Sequence, residues 1–284
     1  MNAADRPKRP LPEGAWDTHA HVFGPYDRFP LAPDRAYEPP LAPYEDYIAM
    51  LDRVGFSRGV LVHAGANGFD CGATRDALAR AQGRLHGVAV IAPDSTSADL
   101  EKLRADGFCA VRITEMGATA GTRRPFTLIF EDLKRMAPSL RELGMHAQIW
   151  SRCELFVEEA PQLLKLGIPI VSDHMGSFDI GRGVSDPVFR NFLALLDEGT
   201  IWVKLTPIRN SKAFPDYPDA RPFHEALARK ASDRLLWGSD WPYIGMEAKP
   251  KVENLVDLFD EWTGDEALRQ KIFVTNPGEL FDAP

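Results

Sequence analysis

One pattern constrains the fold more than any other, an alternation repeated eight times. Short apolar, β-branched runs fall at 16–22, 59–64, 87–92, 110–114, 146–150, 169–174, 201–206 and 235–240. Stretches with helical spacing follow them, near 44–54, 74–82, 97–106, 128–143, 154–166, 187–198, 221–230 and 251–262. In the fourth of these, Leu133, Met136, Ala137 and Leu140 form the apolar stripe of a core-facing helix. Ser97 reads as an N-cap with Glu101 in the first turns, and Gly144, Gly167 and Gly199 read as residues just past helix ends. Alternating strands and helices imply parallel pairing through right-handed crossovers. Eight units in 284 residues predict an α/β chain closed as a single-domain (β/α)8 TIM barrel over 15–284, behind a polar N-terminal extension at 1–14. An open doubly wound sheet is the competing arrangement, but the GxGxxG turn that usually marks it is absent.

Charge and cysteine usage narrow the partners. Lys and Arg total 33 against 41 Asp and Glu, a net charge of −8. A binder of nucleic acid or of an anionic membrane would show a basic excess. The three cysteines, Cys71, Cys109 and Cys153, are odd in number and form no CxxC, so neither a disulfide framework nor a zinc ribbon is expected. The first 14 residues carry Asp5, Arg6, Lys8 and Arg9 and no apolar core of a secretory signal. No apolar run approaches the ~20 residues that span a bilayer. The expectation is a cytoplasmic monomer or small homo-oligomer acting on a small molecule.

In such a barrel the loops that follow the strands build the active face. The first of them, 23–43, holds Pro25, Pro30, Pro33, Pro39, Pro40 and Pro43, too long and too stiff for a mere connector. The same rule sorts the histidines. His19 and His21 close the first strand, two apart and therefore on one face. His174 closes the sixth and His63 lies near the end of the second. His86 and His146 begin their strands at the opposite face, and His224 lies in a helix, so packing is the expected role of all three. Asp240 closes the eighth strand, beside the first in a closed barrel. Arg112, Arg123, Arg124, Arg152 and Arg209 also fall toward the active face, and guanidinium forks suit carboxylates. Cys71 and Cys109 sit in no nucleophile arrangement, and Cys109 reads as core.

Three segments in order carry a resemblance. Asp17-Thr18-His19-Ala20-His21, Ser172-Asp173-His174-Met175-Gly176 and Trp237-Gly238-Ser239-Asp240-Trp241-Pro242 resemble the amidohydrolase superfamily, over about 16–281. More narrowly they look like its 2-pyrone-4,6-dicarboxylate lactonase-like branch, within amidohydrolase-related family 2. The branch includes hydrolases of pyrone dicarboxylate, sulfomuconolactone and sugar lactones, and a sugar-lactone isomerase. The resemblance implies a lactonase of aromatic-compound catabolism that opens the ester of a carboxylated lactone. The residues allow Asp240 as base and His19, His21 and His174 as carbonyl polarisers; the resemblance implies Arg112, Arg124 and Arg209 as carboxylate anchors, with Trp150 and His63 beside the substrate.

Two positions depart from the pattern. Metal-dependent relatives place a ligand at the end of strand five, where this chain has Trp150, and indole cannot ligate a cation. His146 pointing inward in its place would restore a ligand. No cofactor is therefore the expectation. The alternative is Zn2+ or another divalent metal on His19, His21, His174 and Asp240, in a hydrolase or decarboxylase. The second departure is Ser177, where the pyrone lactonase is expected to carry a substrate-binding arginine. A lactone isomerase and a non-catalytic acid-binding protein remain as further readings, and the sequence does not choose the lactone.

Overall fold

The computed structural model describes residues 6–117 and 119–282. Among them, eight parallel strands lie side by side in chain order. They are β1 (Trp16–Ala20), β2 (Arg58–Val62), β3 (Leu85–Ala89), β4 (Phe108–Glu115), β5 (His146–Ser151), β6 (Ile170–Ser172), β7 (Ile201–Leu205) and β8 (Leu235–Trp237). The sheet closes just past β8, where Asp240 N–H donates to the His19 carbonyl and His21 N–H to the Trp241 carbonyl, each at 2.8 Å. Side chains lock the same seam. The buried Asp17 carboxylate accepts from the Ser239 amide at 2.8 Å, the Ser239 hydroxyl at 2.7 Å and the Tyr47 hydroxyl at 3.2 Å. The expected single-domain (β/α)8 barrel is therefore the fold.

The helices α1 (Tyr44–Val54), α2 (Gly72–Ala81), α3 (Ser97–Ala105), α4 (Phe130–Glu142), α5 (Cys153–Leu163), α6 (Pro187–Leu195), α7 (Arg221–Ala231) and α8 (Val252–Thr263) form the outer ring. Leu133, Met136, Ala137 and Leu140 are all buried beneath α4. Short helices α9 (Glu266–Gln270) and α10 (Asn276–Phe281) follow, which the sequence pattern did not reveal. The cap of α3 is Thr96 rather than Ser97, because Thr96 and Asp99 satisfy each other's backbone amides, at 3.3 and 3.0 Å. Of the expected N-terminal extension, residues 1–5 lie outside the described residues. The rest lies against the barrel: Lys8 N–H donates to Asp257 at 2.7 Å, and the Arg269 guanidinium to the Pro10 carbonyl at 2.9 Å.

Two apolar clusters divide the core. The larger joins strands to helices α1 through α8. The smaller includes Trp16, Val60, Val62, Val88, Val171, Trp202 and Leu236 and draws only on strands and α10, so it is the inside of the barrel. There α10 closes the bottom, with Phe281 stacked under Trp16 at 5.6 Å. Alternation along the strands then stacks layers above this floor. On β4 and β5 the pairs Ala110–His146, Arg112–Gln148 and Thr114–Trp150 climb toward the active face. In β1 the ladder shifts register between Asp17 and Ala20. That irregularity lets Trp16 and His19, three residues apart, both face the interior, which a regular strand forbids.

Candidate active site

A cavity of about 270 Å³ opens at the C-terminal end of the strands. Its wall contains His21, His63, Arg112, Arg124, Trp150, His174, Arg209 and Asp240. Those are eight of the nine residues given site roles from sequence, and His19 lies just beneath them. The first loop supplies Ala36 and Tyr37, and the fourth supplies Arg124, Pro125, Phe126 and Thr127. The first loop is also tied down, since Phe23 and Ala42 pair backbone to backbone at 2.8 and 3.0 Å.

Strands β6 and β8 end earlier than their apolar runs, at Ser172 and Trp237. His174 and Asp240 therefore sit on the turns beyond, with φ of 50° and 58°. Such left-handed backbone on residues other than glycine costs about 1–2 kcal/mol each. The turns aim both side chains back over the barrel axis. The rings of His19 and His21 are 5.1 Å apart, and those of His19 and His174 4.9 Å. Asp240 Oδ1 lies 3.4 Å from His21 Nε2 and 3.7 Å from His19 Nε2. Its Oδ2 accepts from Arg209 Nε at 2.5 Å, while Arg209 Nη1 donates to the Ile244 carbonyl at 2.8 Å.

Burial alone would push the Asp240 carboxyl up. The Arg209 guanidinium leads the influences that outweigh it and hold Asp240 well below the usual carboxylate range. Burial lowers His21, and lowers His63 and His174 to about 4, so neutral rings prevail at pH 7. His21 Nδ1 donates to the Val62 carbonyl at 2.6 Å, and His63 Nε2 to the Gly68 carbonyl at 3.0 Å. His174 Nδ1 is buried with no hydrogen-bond partner among the described residues.

Beneath the cavity lies a charged cluster that sequence reasoning missed. The Lys204 ammonium, fully buried on β7, reaches Gln148 Oε1 at 2.5 Å, His19 Nδ1 at 2.9 Å and Asp173 Oδ1 at 3.1 Å. Arg112 Nη2 approaches Asp173 Oδ2 at 3.6 Å, and its guanidinium lies 5.4 Å over the Trp150 ring. Burial would raise Asp173, but the cationic Lys204 and, behind it, Arg112 hold it well below the usual range. The signal was present in Ile201-Trp202-Val203-Lys204-Leu205: a lysine inside a strand buried on both faces must find partners.

Some expectations need correction. Arg123 does not reach the cavity; it donates to the Thr127 carbonyl at 2.9 Å and pairs with Asp132 at 2.6 Å, bracing the fourth loop. Arg152 pairs with Glu154 at 3.7 Å, outside the cavity wall. His146 and Trp150 are not alternatives, because residues 146, 148 and 150 share one inward face. His146 lies at the floor, edge-on to Phe281 at 5.4 Å, and Trp150 at the mouth, edge-on to His174 at 5.6 Å. Among the described residues, two groupings could hold a divalent ion: His19, His21 and Asp240, and His19, Asp173 and His174. In each, the ligand atoms lie within 4.8 Å of one another.

A closed eightfold barrel with HxH on strand one, a histidine after strand six and an aspartate after strand eight is the framework of an amidohydrolase. The amidohydrolase family model matches residues 16–283, and the chain belongs to that family. Among characterised relatives, it is 34% identical over 275 residues to a 4-sulfomuconolactone hydrolase of Hydrogenophaga intermedia, covering 95% of this chain and 89% of that one. It is 33% identical over 287 residues to a 2-pyrone-4,6-dicarboxylate hydrolase of Comamonas testosteroni, covering 97% and 92%. A solved structure of a probable 2-pyrone-4,6-dicarboxylic acid hydrolase of Acinetobacter baumannii, with citric acid bound, superposes with a TM-score of 0.83 at 28% identity, covering 95% and 100%.

Proposed function

We propose that the chain is a lactonase that opens the ring ester of a small anionic lactone, of the carboxylated or sulfonated muconolactone and pyrone type. The observation that carries this reading is the pairing of Asp240 with Arg209 at 2.5 Å on the wall of a cavity that also presents Arg112 and Arg124. A carboxylate placed to handle protons and arginines placed to hold acids share one enclosed space. The similarity to two lactone hydrolases over nearly the whole chain supports the same class.

In this reading Asp240 takes a proton from water, and the resulting hydroxide adds to the lactone carbonyl. His19 and His174 stabilise the oxyanion with N–H donors, while His21, its proton committed to the Val62 carbonyl, lines the same wall. The tetrahedral intermediate collapses, the ring C–O bond breaks, and Asp240 returns the proton to the leaving oxygen. The new carboxyl group ionises at neutral pH and releases one proton. Arg112, Arg124 and Arg209 fix the acidic substituents, with Trp150 and His63 against the ring. A resting Asp240 held down by Arg209 is a weak base. A substrate carboxylate that engages Arg209 draws the guanidinium away and restores basicity when it is needed.

The reaction is read as metal-independent. Strand five offers indole in place of a ligand, and an ammonium crowds both candidate groupings through His19 and Asp173. The zinc reading draws on the mutual approach of His19, His21 and Asp240. One experiment separates them: a panel of anionic lactones with proton release followed at neutral pH, with and without chelator. Release that survives chelation is expected, release abolished by chelation selects zinc, and no release from any member removes the lactonase reading.

A further inference from the structure

We propose that Lys204 is the positioning residue that sets the proton of His19 on Nε2, and in doing so withholds that histidine from metal ligation. The consequence for turnover rests on the lactonase reading; the geometry does not. An ammonium carries three protons and no lone pair. Lys204 Nζ faces three acceptors, Gln148 Oε1 at 2.5 Å, His19 Nδ1 at 2.9 Å and Asp173 Oδ1 at 3.1 Å. Gln148 Oε1 and His19 Nδ1 each accept a hydrogen bond while Asp173 Oδ1 supplies the counter-charge, so His19 Nδ1 is the receiving atom and the proton of the neutral ring stands on Nε2.

The competing arrangement has His19 Nδ1–H donate to Asp173 Oδ1, at 3.3 Å. It would set His19 Nδ1–H against the N–H of a fully buried ammonium 2.9 Å away, a donor facing a donor, which costs more than the longer contact returns. His19 Nε2 is itself buried without a hydrogen-bond partner among the described residues and faces Asp240 Oδ1 at 3.7 Å. An N–H donor held ready there suits an oxyanion, whose arrival supplies the missing acceptor.

His21 shows the opposite arrangement. Its Nδ1 faces the Val62 carbonyl at 2.6 Å, and a carbonyl only accepts. The proton of a neutral His21 is therefore on Nδ1, and Nε2 keeps its lone pair, the tautomer of a metal ligand. A divalent ion on the HxH pair needs that lone pair from both rings. Lys204 withholds one of them, so the donor set does not fit an ion as it stands.

The test uses full-length enzyme labelled with 15N-histidine, with His19 assigned by loss of its signals in His19→Asn. Long-range nitrogen–proton spectra are expected to show His19 protonated on Nε2. In Lys204→Met, which keeps the chain length and removes the donors, the proton moves to Nδ1 with Asp173 as acceptor. Zinc affinity, measured against a chromophoric chelator, then rises about tenfold or more. If Lys204→Met fails to fold, the His19 tautomer of the unaltered enzyme still decides the proposal. A His19 protonated on Nδ1 in the unaltered enzyme overturns the proposal, as does a tautomer unmoved by loss of Lys204. Neither measurement involves turnover, so this inference and the lactonase reading fail separately.

Discussion

Histidines, all buried but the half-buried His86, stand at both ends of one barrel interior, and the two ends treat them differently. At the floor, His86 stacks on Trp16 at 5.5 Å, His146 lies against Phe281 at 5.4 Å, and Gln148 Nε2 meets His146 Nε2 at 3.2 Å. At the mouth, His19 Nε2 and His174 Nδ1 are buried with no partner among the described residues. Burial lowers the rings at both ends, His146 to about 3 and His174 to about 4. A shifted pKa therefore does not tell the two ends apart; unmet hydrogen bonding does. An orphaned buried nitrogen costs about 1–3 kcal/mol, which packing gives no reason to carry. A ligand that completes the bond gives one.

The contrast predicts that chemistry is lost from one end and stability from the other. Asp240→Asn at the mouth is expected to lower kcat on a responding lactone by about 10³–10⁴-fold, with the unfolding midpoint close to that of the unaltered enzyme. Full turnover in a folded Asp240→Asn protein breaks the assignment. Phe281→Ala at the floor removes the ring between Trp16 and His146. It is expected to cost about 3–5 kcal/mol, seen as a fall in Tm of roughly 10 °C, with KM unchanged. A raised KM at unchanged Tm would mean that the floor is part of the binding site.

His146 sharpens the comparison through pH. Its folded pKa is pushed down to about 3 from 6.5 by burial, so the unfolded chain takes up the proton first as pH falls. Its contribution is complete above 6.5 and is lost as pH drops from 6.5 toward 3. By pH 4 the loss is roughly 3 kcal/mol. His146→Gln has nothing to protonate there. The fall in Tm between pH 7 and pH 4 should shrink by roughly 6–12 °C in thermal melts, while activity at pH 7 is retained.

What sequence could and could not reveal follows the range of the interactions. The eight strands were legible because each is a local run, and helices such as α4 because their apolar stripes repeat within a few turns. His19, His21, His174 and Asp240 were legible because barrel topology assigns strand ends to one face. The cluster of Lys204, Gln148, Asp173 and Arg112 was not, since it joins four strands through the middle of the barrel. Lys204 nevertheless stood out as a charge inside an apolar strand. The register shift in β1 left no signal, although it turns His19 inward. Arg123 and Arg152 were overread because loop arginines near the active face have nearby acids, Asp132 and Glu154, that capture them first.

Arg209 joins the electrostatics of the mouth to its chemistry. The acid limb of kcat/KM reports the base in the free enzyme, which works only when ionised. With Arg209 in place Asp240 lies well below the usual carboxylate range, so activity persists into acid and falls only as pH drops through that depressed value. Arg209→Gln leaves burial as the dominant influence on the carboxyl, and the acid limb moves to higher pH. The lost anchor should also lower kcat/KM at neutral pH about a hundredfold, or about 2.7 kcal/mol. A pH–rate profile of the variant measures both. A displaced limb with weakened kcat/KM means that one guanidinium serves substrate and base together. A fixed limb would take the control of Asp240 away from Arg209 and leave it as an anchor alone. The floor offers no such coupling, because there no charged partner competes with the substrate for a catalytic group.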